Sequence, residues 1–149
     1  MIKFDITFLE GKTIKTLIST TLICCFLSST SNALEMCRRG MDKSTKTCLV
    51  DGDTIWLKGV KYRLAGYDTP EPTTNICGGD FERQLAARAS ARLLHILNTY
   101  KWTIEPSGKT GGYGRALATI RVGQQNVGDV LISERLARSW PDGDKWWCK

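Results

Sequence analysis

Residues 50–71 read VDGDTIWLKGVKYRLAGYDTPE, and this stretch carries Asp51, Asp53, Arg63, Asp68 and Glu71. Carboxylates normally avoid strand interiors, and these stand where β-forming runs stop. Asp51 and Asp53 straddle a glycine, and Asp68 and Glu71 flank Thr69 and Pro70. At the ends of neighbouring strands, Asp53 and Asp68 can converge on one hard cation such as Ca²⁺, which takes several oxygen ligands. Glu71 would stand beside that cation as a base. Arg63 falls inside a strand and needs an anion, since arginine is seldom buried unpaired. A phosphate held through two parallel hydrogen bonds would serve. Together these residues have the make-up expected of half of a metal-dependent phosphodiesterase site.

A second cluster, Tyr113-Gly114-Arg115, closes the glycine-rich segment SGKTGGYG. Alone it describes a hairpin turn with a solvated arginine. Joined to Asp53, Arg63, Asp68 and Glu71 it adds the second guanidinium that phosphoryl transfer uses. Other chemistries find little support. The one histidine, His95, falls near the end of a predicted helix and suits a structural or surface role, which weakens any Ser-His-Asp relay. No serine stands in a nucleophile-elbow pattern and no phosphate-cradling GxxxxGK[ST] occurs. Acid–base work falls to carboxylates.

The elements that position these groups follow from periodicity. Strands are expected at 45–50, 54–57 and 60–65, with Lys58-Gly59 as a tight hairpin and Arg63 on the face opposite Val60, Tyr62 and Leu64. Helical spacing then takes over: Phe81, Leu85, Ala89 and Leu93 point inward, Glu82, Arg83, Arg88 and Arg92 outward, and Asp80 is the expected N-cap. A strand at 100–105 stops at Pro106, a loop covers 107–114, and a strand at 115–122 leads through a turn into a helix at 127–137. Three strands, a helix, two strands and a helix outline a five-stranded OB-fold barrel in an α+β, mainly β chain.

The chain has 149 residues and a formal net charge of +6, room for one domain. Residues 1–33 combine Lys3, Lys12 and Lys15, a short apolar run at 16–27, and a small polar stretch ending Ser-Asn-Ala. That is the pattern of a secretory signal peptide cleaved after Ala33; the apolar run is too short for a spanning helix. The expected products are the signal peptide, 1–33, and one mature domain, 34–149, exported to a periplasm or secreted and free of stable membrane association. The mature part keeps a net charge of +5 by the same count, which suits a polyanionic partner or simple solubility. It also keeps Cys37, Cys48, Cys77 and Cys148. An even number in a small exported domain indicates two disulfides with three possible pairings; Cys37 with Cys48 and Cys77 with Cys148 is the expected one. No CxxC pair or Cys/His cluster suggests zinc.

The motifs VDGDT, YRLAGYDTPE and YGRALA, in that order, resemble those of the staphylococcal nuclease (thermonuclease) family over about residues 45–140. The resemblance implies that Asp53 and Asp68 bind Ca²⁺ together with the backbone carbonyl of Thr69, while Glu71 activates or orients the attacking water. Arg63 and Arg115 would hold the phosphate and stabilise the pentacoordinate transition state. Asp51 matches a supporting acidic position and Tyr113 a phenol that contacts a terminal phosphate. The implied activity is a monomeric endonuclease on DNA and RNA, preferring single or breathing strands and leaving 3′-phosphates. Three departures are visible. Residues 72–79 (PTTNICGG) carry no basic residue where the type member has a lysine-rich loop, Gly112 stands where it has a lysine, and its third, C-terminal helix is replaced by a tryptophan-rich tail. Fewer phosphate contacts weaken backbone affinity unless they are supplied elsewhere. The rival functions are a non-catalytic OB module for single-stranded nucleic acid and, more weakly, an oligosaccharide-binding barrel, which leaves the acids and Arg63 without a purpose.

Overall fold

The computed structural model describes residues 33–149. β1 (Cys48–Leu49), β2 (Thr54–Leu57) and β3 (Val60–Leu64) form an antiparallel meander. Lys58 and Gly59 close the β2–β3 turn with φ of 48° and 81°, the paired left-handed conformation of a two-residue hairpin. Space demands glycine here too, since a Cβ on Gly59 would lie 2.3 Å from the Ser44 carbonyl oxygen. Alternation sorts the meander into two faces. Ile55, Tyr62 and Leu64 pack in the core. Thr54, Trp56, Lys61 and Arg63 share the other face, Thr54 opposite Arg63 and Trp56 opposite Lys61.

Past β4 (Tyr67–Asp68), the long helix α1 (Gly79–Thr99) buries Leu85, Ala86, Ala89, Leu93, Ile96 and Leu97 along one stripe. β5 (Thr103–Thr110) and β6 (Ala116–Val122) follow, separated by a 3₁₀ turn at Gly112–Gly114, and then β7 (Gln125–Asn126). β6 runs parallel to β3 and antiparallel to β5 and β7. The sheet order is therefore β1-β2-β3-β6-β5, with β7 on β6. α2 (Val127–Ser133) starts at Asn126, whose side chain accepts the Gly128 N–H at 2.9 Å, an N-cap of the usual kind. β8 (Arg138–Ser139) returns to pair with β4, and a 3₁₀ turn at Trp146–Cys148 brings Trp147 into the core.

The chain is thus mixed α+β with sheet dominating and two α-helices among the described residues; the sheet is open and does not close into a barrel. Both expected disulfides, Cys37–Cys48 and Cys77–Cys148, are present. No described helix is long and apolar enough to cross a membrane. The expected signal peptide lies outside the described residues, apart from Ala33 at its cleavage point.

Several expectations are corrected. More strands form than five, because Tyr67–Asp68 and Arg138–Ser139 pair with each other as a separate ribbon and Gln125–Asn126 adds to β6. The first strand is cut to Cys48–Leu49. β5 runs through Pro106 instead of stopping there; it is an edge strand, where a missing N–H costs no ladder bond. The glycine-rich loop is thereby shortened, its irregularity reduced to a register shift between Pro106 and Thr110. The N-cap of α1 is Gly78 and not Asp80. Phe81 is exposed and packs edge-on against Trp146 at 6.2 Å. Glu82, expected to face solvent, is fully buried. α2 ends at Ser133, short of Ala137, because Arg135 takes a left-handed φ of 56° that breaks the helix.

Candidate active site

β2, β3 and β4 end close together, and their ends deliver the aspartates. Asp53 is 2% exposed and every lone-pair direction of its carboxylate is used. Oδ1 accepts from Arg63 Nη1 and from Thr54 Oγ1. Oδ2 accepts the Thr69 N–H and hydroxyl, both at 3.0 Å. Asp68 accepts Arg63 Nη2 on Oδ1 at 2.6 Å and Arg138 Nε on Oδ2 at 2.9 Å. The Arg63 fork therefore stands between the two carboxylates that the sequence marked as metal ligands. Asp51 closes the turn by accepting the Asp53 N–H at 3.1 Å. Gly52 permits this packing, since a Cβ there would meet Thr69 Cγ2 at 2.7 Å, and Tyr67 donates its hydroxyl to the Gly52 carbonyl at 3.0 Å.

Glu71 is half-buried, and its carboxylate accepts no hydrogen bond from any described residue. Burial, then the negative charges of Asp51 and Asp68, raise it above the usual carboxylate value, against the pull of Arg63. A free carboxylate with raised basicity has the properties of a general base. Its place is fixed from behind: Glu82 on α1 accepts the N–H groups of Glu71 at 3.1 Å, Cys77 at 2.6 Å and Gly78 at 2.7 Å. Burial alone would raise the Glu82 carboxyl, but the N–H groups of Gly78, Glu71 and Cys77 outweigh it and hold the value below 4.5.

Arg115 comes from the start of β6 and shares the face of Thr54 and Arg63. Its Nη1 reaches Thr54 Oγ1 at 3.4 Å and its Nε donates to the Gly112 carbonyl at 3.0 Å. Thr54 thus links the second guanidinium to Asp53. Tyr113 is 96% exposed, and its ring meets the cluster only through the Arg115 guanidinium at 5.7 Å. The structure therefore joins Asp51, Asp53, Arg63, Asp68 and Thr69 tightly, sets Glu71 and Arg115 at the border, and leaves Tyr113 in solvent.

By donor type the carboxylates suit a hard divalent cation, and in this structure the Arg63 guanidinium occupies the place between Asp53 and Asp68 where one would bind. Four acids, Asp51, Asp53, Asp68 and Glu71, face Arg63 and Arg138 as their nearest partners. Burial above all, opposed by Arg63 and the Thr69 bonds and helped by Asp51, leaves the Asp53 carboxyl raised to about 7. Among the described residues, the three-residue group whose ligand atoms fall within 4.8 Å of one another is Cys77, Glu82 and Cys148, and its two sulfurs are joined as a disulfide.

Three participants carried no obvious sequence signal as site residues. Arg138 orients Asp68 and is itself held by the Gly143 carbonyl at 2.6 Å and the Pro141 carbonyl at 3.3 Å. Glu82 stood three residues before Leu85, on the buried stripe of α1. Thr54 closes the VDGDT motif but carries no role of its own in the site expected from sequence. No protein-family model matches the chain, and a search of curated proteins returns no match.

Proposed function

We propose that this protein is an exported Ca²⁺-dependent endonuclease of the staphylococcal nuclease type, hydrolysing phosphodiester bonds of DNA and RNA on an OB-like sheet. The observation that carries the reading is the arginine fork held between Asp53 and Asp68, on the same face as Arg115 and next to an unpaired, half-buried Glu71. Two guanidinium groups on one face make a clamp for a phosphate, and the free carboxylate supplies the base.

Asp53 and Asp68 would hold the cation, with Asp51 and the Thr69 carbonyl in support. When bound it would neutralise charge on a non-bridging phosphate oxygen. The chain's own residues do the rest. Glu71 takes a proton from water, the water oxygen bonds to phosphorus, and the P–O5′ bond breaks. The electron pair stays on O5′, which takes up a solvent proton, and a 3′-phosphate remains. Arg63 and Arg115 donate to the equatorial oxygens, whose charge grows in the transition state. Single or breathing strands are the expected substrates, because the exposed face must reach a phosphate freed from duplex geometry.

The test is degradation of heat-denatured DNA by the oxidised protein with Ca²⁺, with chelator, and by Glu71→Gln. Cleavage that needs Ca²⁺ and drops by at least about 100-fold in the variant supports the reading. DNA retained but never cut under any divalent ion would assign a nucleic-acid-binding module instead.

A further inference from the structure

The face that carries Arg63 continues away from the carboxylates. Two residues back along β3 is Lys61, opposite Trp56 on β2, and strand alternation puts both on the Arg63 side. β1 extends it. Cys48 lies opposite Trp56, and Lys46, in the segment just before β1, reaches over the Trp56 ring on that side. The Gly59 N–H donates to the Lys46 carbonyl at 2.9 Å, so Lys46 sits beside the hairpin tip with Lys58.

The ammonium groups of Lys46 and Lys61 lie 5.3 and 5.9 Å from the centre of the Trp56 ring, within cation–π range. The half-buried indole holds both cations in place at the surface. Among the described residues, Lys43, Lys46, Lys58 and Lys61 have no carboxylate at salt-bridge distance. Asp42, on the turn before β1, is engaged by the Ser44 N–H at 2.9 Å and the Ser44 hydroxyl at 2.8 Å. Scattered surface lysines are ordinary, but these are aligned with the site. At a strand rise of about 3.3 Å per residue, Lys61 stands about 7 Å from Arg63 along β3, close to one nucleotide step of an extended chain.

We infer that this face is a track for the phosphate backbone of a single-stranded nucleic acid, running from Arg63 past Lys61 and Trp56 to Lys46. The inference rests on the phosphodiesterase reading only for its register, with the scissile phosphate at Arg63. A single strand is the partner that fits, because cations set around an aromatic ring suit a flexible backbone with unpaired bases. The track also supplies the phosphate contacts that residues 72–79, which lack any basic side chain, do not offer.

The experiment titrates a fluorescein-labelled oligothymidylate, without divalent ions, by anisotropy at several salt concentrations. It compares wild type, Lys46→Gln with Lys61→Gln, the same pair changed to Arg, and a charge-matched control, Arg88→Gln with Lys101→Gln. The glutamine pair should bind about 10-fold more weakly, with a log–log salt slope shallower by about 1.4 for two lost single-strand contacts. The arginine pair and the control should keep the wild-type slope. Circular dichroism melting of each variant separates lost contacts from lost fold. A glutamine pair that binds like the control, or a wild type that binds no oligonucleotide, overturns the inference. This assay reads binding alone, so lysine-dependent binding here with no cleavage in the Ca²⁺ assay of denatured DNA would sink the nuclease reading and leave the track. Cleavage with no lysine dependence would do the reverse.

Discussion

Around Asp53 and Asp68 every carboxylate oxygen has a donor, and the guanidinium that serves both is mostly buried. At Tyr113–Arg115 one bond of 3.4 Å reaches the rest of the cluster, and Tyr113 takes a left-handed φ of 59° with its ring in solvent. One half of the candidate site is part of the protein's structural core, and the other is an arm laid against it. The difference separates two roles that a sequence motif merges. Residues of the first half cannot change without disturbing the fold, so their loss says little about chemistry. Residues of the arm can be altered with the fold intact, so their loss speaks of function directly.

The sharpest way to break this contrast is Arg63→Met. It removes the cation shared by two buried carboxylates, leaving Asp53 with no counter-charge and Asp68 with Arg138 alone, and removing one partner of a buried ion pair costs about 3–5 kcal/mol. Urea unfolding should show a loss of that order; a loss under about 1 kcal/mol would mean that the cluster is not a coupled buried network. Next comes Glu82→Gln, which leaves an amide against N–H donors and should cost about 1–3 kcal/mol. It also carries a pH signature. The Glu82 carboxyl is held below its unfolded value of 4.5, so its stabilisation is present above that value and is lost as pH falls through the folded one. Unfolding curves between neutral and acid pH should converge for wild type and Glu82→Gln as the solution becomes acidic; a constant gap would assign the cost to packing. The smallest effect on stability belongs to Arg115→Lys, within about 0.5 kcal/mol. Cleavage of denatured DNA should nonetheless fall about 100-fold, because an ammonium cannot reproduce the guanidinium fork. Unchanged turnover would return Arg115 to the solvated hairpin arginine of the simplest reading.

The first half was legible because its chemistry is local. Asp53, Arg63 and Asp68 meet through one hairpin and one turn, and period-two alternation with a Lys-Gly turn fixes their faces. Both disulfides were likewise anticipated as a pair. Glu82 was missed for a physical reason: its spacing from Leu85 and Ala89 placed it on the buried stripe, but a charge is expected outside unless partners are foreseen. Those partners are backbone N–H groups of a loop, invisible to a pattern of side chains. Arg138 was missed because its contact with Asp68 depends on a two-stranded ribbon joining segments 70 residues apart, too short for any period to show. The strand through Pro106 was hidden by a residue that breaks central strands but not edges.

The tie at Cys77 and Cys148 also has a consequence for timing. The loop that presents Glu71 is gathered by Glu82 through the N–H of Cys77, and Cys77 is bonded to a cysteine 71 residues further on. During synthesis the proposed base is therefore made long before the residue that fastens its loop, and fastening also requires an oxidant. While the chain is still in a reducing compartment, that segment lacks its covalent anchor. On the proposed reading, the base would take its final setting only where an oxidant has closed that bond.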